Sequence, residues 1–249
     1  MEDAFFENSR VDALAMERLT ASSGVINMFA FCAMTVVQEF AGKGLSSLPS
    51  SMDPEEKLVI ATKIAKAVVD IHSIDGEQQP SLVHNDINLA NVLLTPDDRP
   101  VLNDFNIAVL LKRHSVSGQM CPFVARFPNP QWRSPEEQIY KYEEEQNIFP
   151  TVNEKVDVYG LGNILYRLLV GKTPWKREGL RFDATRKAEV AHLKRRNGTI
   201  PLIPLEIQKS SNTSIVTMRN AMYQCFRFHP DERPPAHEIY EILRRKSSR

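Results

Sequence analysis

Two short apolar runs separated by a turn constrain this chain more than any other sequence feature. Residues 92–94 and 101–102 have the composition of strands, and residues 96–99 (Pro-Asp-Asp-Arg) supply a turn between them. This spacing predicts a tight β-hairpin. A loop that carries Asp86 precedes the first run, and Asp104 follows the second.

The hairpin should bring three polar side chains together, namely Asp86, Asn91 and Asp104. Such a cluster suits phosphoryl transfer, in which one carboxylate orients the attacking hydroxyl while an amide oxygen and a second carboxylate hold Mg²⁺. A loop aspartate can also cap its own backbone, and asparagine is a common turn residue. The spacing of the three residues favours the functional interpretation.

Further motifs, in the same order, resemble those of the eukaryotic-type protein kinases. Residues 84–91 are similar to the catalytic-loop pattern H-R-D-x-x-x-x-N, and residues 104–106 to the D-F-G motif. Three downstream segments resemble the family's A-P-E, D-V-[WY]-S-x-G and P-x-x-R-P motifs: residues 133–136, 157–162 and 229–234. Residues 132–136 resemble the W-x-[AS]-P-E form seen in the tyrosine and tyrosine-kinase-like groups, including the receptor-like kinases.

The resemblance implies an α+β, protein-kinase-like fold with a truncated small lobe and a mainly helical large lobe. Residues 1–41 would form a partial small lobe of one helix, two or so strands and the hinge, and residues 42–249 the large lobe. Apolar patterns predict the helices and strands. The helices are expected at 3–21, 54–72, 154–169, 186–196, 214–228 and 235–245, and the strands at 25–32 and 35–40.

The sequence departs from the family at the front of the domain. Residues 1–249 contain no G-x-G-x-x-G, and their first lysine is Lys43, so the glycine-rich phosphate loop and the lysine that pairs with the first helix are missing. Asp12 aligns with the helix glutamate that pairs with this lysine in the family, and we predict that it is a solvated charge. Gly160 and Gly162 lie inside a predicted helix and are interpreted as packing residues.

In the catalytic loop, the resemblance makes Asp86 the base and places Mg²⁺ on Asn91 and Asp104. Asn88 stands where many serine/threonine kinases have a lysine that neutralises the transferring phosphate. An amide there keeps a catalytic hydrogen-bond donor but brings no full charge, and loss of one transition-state donor typically lowers the rate by ~10²–10³-fold. No other residue of this loop supplies the charge, so slow catalysis is expected.

Two other asparagines replace family residues. Asn85 stands in place of an arginine that receives an activation-segment phosphate, so control by that route is not expected. Asn106 replaces the glycine of the D-F-G motif and is expected to tolerate a positive φ. His84 and Phe105 are interpreted as packing residues.

The resemblance also implies that ATP binds. Backbone groups of Glu39 and Ala41 would meet the adenine edge, Leu93 would form its apolar floor, and Asn91 and Asp104 would hold the Mg²⁺ of the nucleotide. Backbone contacts leave no residue signature, so the adenine assignment rests on the resemblance alone.

Two structural contacts follow from the same motifs. Glu136 and Arg233 should form a buried ion pair that ties the activation segment to the body of the domain. Asp157 should accept hydrogen bonds from backbone N–H groups of the catalytic loop.

Bulk composition limits the partners. The 31 basic and 31 acidic residues cancel, so no global attraction to nucleic acid is expected, and basic runs such as residues 194–196 are interpreted as solvated helix faces. No segment reaches the ~18 continuous apolar residues of a membrane span. Three scattered cysteines argue against a disulfide frame or a zinc site. We expect an intracellular, cytoplasmic protein whose partners are ATP and a protein substrate, and the sequence does not specify an oligomeric state.

Three functions are compatible with these residues. The first is a protein kinase that transfers the ATP γ-phosphoryl group to a protein hydroxyl and is weak or inactive in this truncated form. The second is a pseudokinase that binds or scaffolds, which the three asparagine replacements and the missing lysine favour. The third is a small-molecule phosphotransferase of the aminoglycoside type, a group that lacks the Ser-Pro-Glu segment and its distant arginine.

Overall fold

The computed structural model describes residues 2–76, 79–125, 129–138, 150–177 and 179–247. The helices in these ranges are α1 (Glu2–Arg18), α2 (Pro54–His72), α3 (Lys155–Val170), α4 (Ala184–Asn197), α5 (Leu205–Lys209), α6 (Thr213–Cys225) and α7 (Ala236–Ser247). The strands are β1 (Met28–Cys32), β2 (Thr35–Gln38), β3 (Lys43–Gly44), β4 (Leu82–Val83), β5 (Val92–Leu94), β6 (Pro100–Leu102), β7 (Val109–Leu110), β8 (Phe123–Val124) and β9 (Thr151–Val152).

The strands of the described residues form small antiparallel sheets. β1 pairs with β2, β4 with β7 and β8 with β9, while β5 lies between β3 and β6. The predicted hairpin is β5–β6, with Val92 opposite Leu102, so this local prediction is confirmed. The mixture of these sheets with a mainly helical body confirms the α+β fold class.

The predicted helices are present, with ends that differ by up to three residues. α2 begins and ends as predicted, with Asp53 accepting a hydrogen bond from the Glu55 N–H at its start. α1 ends at Arg18, three residues earlier than expected. α5 has no counterpart in the prediction, because five residues are too few for a helical period to be recognised.

The segment before β1 was predicted as part of that strand and instead runs beside β6. The Ile26 N–H donates to the Leu102 carbonyl at 3.0 Å, and the Leu102 N–H donates to the Gly24 carbonyl at 2.8 Å. β1 therefore begins only at Met28. These bonds fix the small lobe to the strand that leads directly to Asp104.

Helix α3 is the centre of the hydrophobic core in the large lobe. Nearly all of its side chains are buried, including Val158, Leu161 and Ile164, and it packs against α2 and α6. α2 also packs against α7. Within the described ranges, no helix combines the length and apolar character needed to cross a membrane.

The two glycines of α3 allow close approach to its neighbours, as predicted. A Cβ on Gly160 would lie 2.8 Å from the Cβ of Ile87, which belongs to the 84–91 loop. A Cβ on Gly162 would lie 2.8 Å from the Cβ of Cys225 and 2.9 Å from the Phe226 ring. Gly160 therefore positions the loop of the candidate site, and Gly162 positions α6.

Gly162→Ala is expected to lower the free energy of unfolding by about 1–3 kcal/mol, because the added methyl group must push α6 away from α3. Urea unfolding of the purified variant measures this change. Gly44→Ala is the matched control, since its Cβ would have only the Ser46 hydroxyl nearby, at 3.5 Å. Equal urea midpoints for both variants would contradict the tight α3–α6 contact.

The β1–β2 hairpin exposes large apolar side chains on both of its faces. Phe31 lies opposite Val36 on one face, and Ala30 lies opposite Val37 on the other. Phe31 is 50% exposed and Val37 is 54% exposed. Antiparallel hairpins of two strands are marginally stable alone, so this pair depends on its contacts with α1 and the core.

Candidate active site

A cavity of about 500 Å³ opens between the 84–91 loop, the 104–107 turn and the segment that starts at Asn129. Its described lining residues are Asn8, Asp86, Asn88, Asp104, Asn106, Ile107, Asn129, Trp132 and Arg133. Three residues of the sequence-based prediction, Asp86, Asn88 and Asp104, thus lie around one cavity. Asn91 is buried and is hydrogen-bonded to Asp86.

Asp157 fixes the backbone of the 84–91 loop from below, as predicted. Its carboxylate accepts hydrogen bonds from the His84 N–H at 2.7 Å and the Asn85 N–H at 2.9 Å. The His72 Nε2 lies 3.1 Å from the same carboxylate. Because α3 carries Asp157 in its first turn, the core helix positions the loop that bears Asp86.

Hydrogen bonds hold both oxygens of the Asp86 carboxylate. The Asn91 Nδ2 donates to the Asp86 carbonyl at 2.9 Å and to Asp86 Oδ2 at 3.1 Å. The Arg133 Nη2 donates to Asp86 Oδ1 at 3.2 Å. The carboxylate therefore has a fixed orientation, with lone pairs left on each oxygen for a further donor.

The Asn88 side chain bonds to its own loop. Its Nδ2 donates to the Asp86 carbonyl at 3.1 Å, and its Oδ1 accepts from the Ala90 N–H at 2.8 Å. Asn88 still lines the cavity, but its amide is committed to local backbone groups. Its role as a donor to a substrate stays a prediction.

Asp104 follows β6 in a left-handed backbone conformation, with φ of +66°. The Asn103 N–H donates to the Asn91 carbonyl at 3.0 Å, which ties the end of β6 to the end of the loop. Asn106 is tolerant of a positive φ but does not adopt one here, and the left-handed residue of this turn is Asp104. Aspartate tolerates this region better than most residues, and the left-handed position lies two residues before the one that glycine occupies in the D-F-G motif.

Asp12 is not the solvated charge that we predicted. Its Oδ1 accepts a hydrogen bond from the Phe105 N–H at 2.6 Å, which ties α1 to the residue after Asp104. Burial raises the pKa of the Asp12 carboxyl above its ordinary value of 3.8; the Phe105 N–H opposes this shift and the nearby Asp104 carboxylate adds to it. No residue pattern marks this contact, because its donor is a main-chain N–H that nearly every residue type carries.

This contact predicts a pH-dependent stability. A raised pKa means that the folded state binds the Asp12 proton more tightly, so the contribution of Asp12 to stability should fall as the pH rises from about 4 through the folded pKa. Asp12→Asn keeps an oxygen acceptor for the Phe105 N–H but cannot ionise. Its urea midpoint should therefore rise relative to that of the wild type between about pH 4 and about pH 7.

Asp12→Ala is the control for this experiment, because it removes the acceptor at every pH. We expect it to be less stable than Asp12→Asn by about 1–3 kcal/mol under both conditions. A midpoint difference between wild type and Asp12→Asn that does not change with pH would contradict the buried, ionisable Asp12.

His84 and Phe105 are packing residues, as interpreted from the sequence. Their ring centroids lie 4.6 Å apart, and both side chains are fully buried. The His84 Nε2 lies 3.1 Å from the Asn103 carbonyl. Phe105 and Met16 of α1 belong to the same hydrophobic core.

Arg133 is a charged residue of the cavity that sequence reasoning missed. Its Nη1 donates to the Asn85 carbonyl and lies 3.3 Å from Glu137 Oε1, while its Nη2 faces Asp86. Glu137 in turn accepts hydrogen bonds from the Ser134 N–H and hydroxyl, both at 2.7 Å. In the sequence, residues 133–136 are recognisable only as a motif, because Arg133 and Asp86 are 47 residues apart.

Lys194 of α4 is buried, and the interpretation of residues 194–196 as a solvated face is wrong at this position. The Nζ donates to the Arg133 carbonyl at 2.7 Å and lies 4.8 Å from the centroid of the Tyr159 ring. Burial lowers the pKa of Lys194 to about 7, and the carboxylates of Glu137 and Glu136 oppose this shift. The cation–π contact and the carbonyl replace only part of the lost hydration of the ammonium group.

The Glu136–Arg233 ion pair is present as predicted. Two nearly parallel bonds join the groups, from Nη1 to Oε1 at 2.5 Å and from Nη2 to Oε2 at 2.7 Å. The Arg233 side chain is fully buried and also donates to the carbonyls of Arg227 and Phe228. The geometry is the bidentate fork that makes arginine–carboxylate pairs strong.

The three residues predicted to contact adenine lie outside the cavity lining. The Glu39 N–H donates to the Asn27 carbonyl at 2.8 Å, so its carbonyl is the group that could meet an adenine edge. Ala41 and Leu93 are half-buried and pack against the main core, and Leu93 lies opposite Gly44 across β5 and β3. Their contact with adenine stays a prediction.

The residues predicted to hold Mg²⁺ have suitable chemistry. The Asn91 amide nitrogen is committed to Asp86, so its oxygen is the atom that remains for a metal. Asp104 adds a carboxylate, and Mg²⁺ prefers such hard oxygen donors. Among the described residues, no cluster of three or more His, Cys, Asp or Glu side chains could hold a metal. Phosphate oxygens and water would therefore have to complete the shell.

Comparison with known proteins identifies the class. The family model described as the protein kinase domain matches residues 8–242. The chain therefore belongs to the protein kinase domain family, which agrees with the fold and with the order of its motifs.

Several curated proteins are similar to this chain. A probable inactive receptor kinase of Arabidopsis thaliana is 27% identical over 200 residues, which cover 78% of this chain and 28% of that protein. A calmodulin-binding receptor-like cytoplasmic kinase of the same plant is 27% identical over 200 residues, covering 78% of this chain and 44% of that protein. A dual specificity protein kinase of Dictyostelium discoideum is 30% identical over 180 residues, covering 72% of this chain and 11% of that protein. The chain thus spans less than half the length of each of these relatives, and the receptor-like names of the two plant proteins agree with the resemblance.

Proposed function

We propose that this chain is a protein kinase domain in which Asp86 orients the hydroxyl of a protein substrate and Asn91 and Asp104 hold the Mg²⁺ of ATP. The observation that carries this proposal is the hydrogen bonding of Asn91 to Asp86 beside Asp104, at one cavity. Residues 1–41 would contribute the small lobe, with the adenine near Glu39, Ala41 and Leu93. The protein partner and the cytoplasmic location belong to the same proposal.

The reaction follows from this arrangement. The substrate hydroxyl oxygen forms a bond to the γ-phosphorus, the bond to the bridging β–γ oxygen breaks, and ADP leaves. Asp86 accepts a hydrogen bond from the attacking hydroxyl and takes its proton as the new bond forms. Bound Mg²⁺ would neutralise charge on the phosphate oxygens.

Slow transfer is expected from residues 1–249 alone. The sequence has no lysine before Lys43 and no glycine-rich loop, so these residues supply no clamp for the phosphates. Positioning and electrostatics supply nearly all of the catalysis of phosphoryl transfer. The missing clamp should therefore lower the transfer rate more than any single substitution in the 84–91 loop does.

A pseudokinase is the second candidate. The hydrogen bonds of the Asn88 amide to backbone groups of its own loop favour this candidate. They occupy the side chain that would otherwise donate to a transferring phosphoryl group. One similar protein is named a probable inactive receptor kinase. A pseudokinase would bind a partner through the same fold without transferring phosphate.

The first test of the proposed function is Mg²⁺-dependent nucleotide binding. Asp104→Asn is expected to weaken the affinity for Mg·ATP by about tenfold or more, because it removes a charged metal ligand. Titration of the wild type and the variant with a fluorescent ATP analogue, with Mg²⁺ and with EDTA, measures this loss.

Glu206→Gln is the matched control, since Glu206 lies exposed on α5, away from the cavity lining. Its affinity should match that of the wild type. Equal Mg·ATP affinities for wild type and Asp104→Asn, or binding that EDTA leaves unchanged, would refute the metal assignment.

A further inference from the structure

The described lining of the cavity has a single cationic residue. Asp86 and Asp104 are its acidic members, Arg133 is the cation, and the other lining residues are uncharged. ATP adds several negative charges to such a site, and one well-placed donor to the transition state changes the rate by ~10²–10³-fold. Within this lining, therefore, Arg133 alone can offset the charge of a transferring phosphoryl group.

The guanidinium of Arg133 is placed so that it can act on both Asp86 and a phosphate. Its Nη2 lies 3.2 Å from Asp86 Oδ1, at the cavity wall. Nη2 carries two protons, and the second has no partner among the described residues. A planar guanidinium can hold a carboxylate with one N–H and a phosphate oxygen with another.

Buried contacts fix this orientation. Nη1 is held by the Asn85 carbonyl and Glu137, and the Arg133 backbone carbonyl accepts a bond from Lys194 at 2.7 Å. Arg133 is only 7% exposed. A charge held this way needs little reorganisation when negative charge develops beside it, which is the condition for strong electrostatic stabilisation.

Asn88 leaves an electrostatic gap that Arg133 can fill. The Asn88 amide bonds to the Asp86 carbonyl and the Ala90 N–H, and it has no full charge. Arg133 contacts the carboxylate of the same Asp86 and lines the same cavity. Its charge comes from a segment 47 residues farther along the chain.

We propose that Arg133 is a catalytic residue that supplies, from residues 132–138, the positive charge that position 88 lacks, and that it binds the γ-phosphoryl group beside Asp86. The inference rests on the proposed function, because it requires a nucleotide in this cavity. It assigns Arg133 a role beyond its structural contacts with Asn85 and Glu137.

The experiment compares Mg·ADP with the Mg²⁺ complex of a non-hydrolysable ATP analogue by calorimetry. The wild type should prefer the triphosphate by about tenfold or more, and Arg133→Gln should abolish that preference, because a charge-assisted bond to the γ-phosphate is lost. Arg133→Lys should keep part of it. Arg181→Gln, at an exposed loop residue, is the control and should keep all of it.

Rescue separates a charge role from a structural one. We expect Asn88→Lys to increase the triphosphate preference in both the wild type and Arg133→Gln. The increase should be about tenfold larger in Arg133→Gln, because there the new lysine replaces a missing cation. Circular dichroism checks that each variant is folded. If Arg133→Gln does not fold, the Asn88→Lys variant is compared with the wild type alone. A triphosphate preference less than about tenfold above that of the wild type supports the inference, because Arg133 already supplies the charge. A larger increase overturns it, because no cation then acted on the γ-phosphate in the wild type.

The remaining outcomes are distinct. An Arg133→Gln variant that keeps or increases the triphosphate preference, or equal gains from Asn88→Lys in both backgrounds, would overturn the inference while the proposed function stands. A wild type that binds neither nucleotide would refute the proposed function, and the inference with it.

Discussion

Arg233→Ala is expected to lower the free energy of unfolding by about 3–5 kcal/mol, because it leaves the Glu136 carboxylate, which is only 13% exposed, without its partner. The Arg233 side chain is fully buried and its two Nη atoms bind both Glu136 oxygens. It also donates to the Arg227 and Phe228 carbonyls, which would lose a donor. Urea unfolding, followed by circular dichroism, measures the loss.

Arg181→Ala provides the matched comparison, since it removes the same side chain from an exposed loop position. It should change stability by less than about 0.5 kcal/mol. Glu136→Ala should be strongly destabilising as well, and the double variant should be much less destabilised than the sum of the two single changes. Equal urea midpoints for Arg233→Ala and Arg181→Ala would show that the pair is not a structural tie.

Residues 1–249 alone are expected to transfer phosphate negligibly, whereas the same residues preceded by a glycine-rich loop and its lysine should transfer it readily. The added segment would close over the phosphates and bring a cation to the α- and β-phosphates. Removing such positioning can lower a rate by several orders of magnitude. Radiolabelled ATP with a generic protein substrate compares the two chains.

The recovered activity should depend on Asp86 and Asp104. Asp86→Asn and Asp104→Asn in the extended chain should each abolish transfer, whereas Glu206→Gln should not. Robust transfer by residues 1–249, lost in Asp86→Asn, would show that the clamp matters less than we expect. No transfer by the extended chain would favour the pseudokinase.

Local patterns predicted much of the fold. The β5–β6 hairpin follows from two apolar runs and one turn, and α2 follows from its capping residue Asp53 and its periodic apolar face. The Glu136–Arg233 pair was predictable only through the resemblance, because these residues are 97 apart in sequence. Family motifs therefore supplied the long-range contacts that periodicity cannot.

The contacts that sequence reasoning missed join distant residues and often use the backbone. Asp12 and Phe105 are 93 residues apart, and Lys194 and Arg133 are 61 apart; in each contact one partner is a main-chain group. A main-chain N–H or C=O is present at every position, so no residue pattern marks it. The contact of Arg133 with Asp86 joins two side chains, but these residues are 47 apart in sequence, so no local pattern relates them.

The apolar β1–β2 hairpin has a consequence for work in solution. Phe29 is 69% exposed, and Phe40, just after the hairpin, is 75% exposed. Contiguous apolar surface and open strand edges promote association between molecules. Purified residues 1–249 should therefore bind a hydrophobic dye and form larger species as the protein concentration rises. Light scattering at each point of a nucleotide titration would show the range of protein concentration over which the protein is monomeric. Affinities measured within that range describe the monomer.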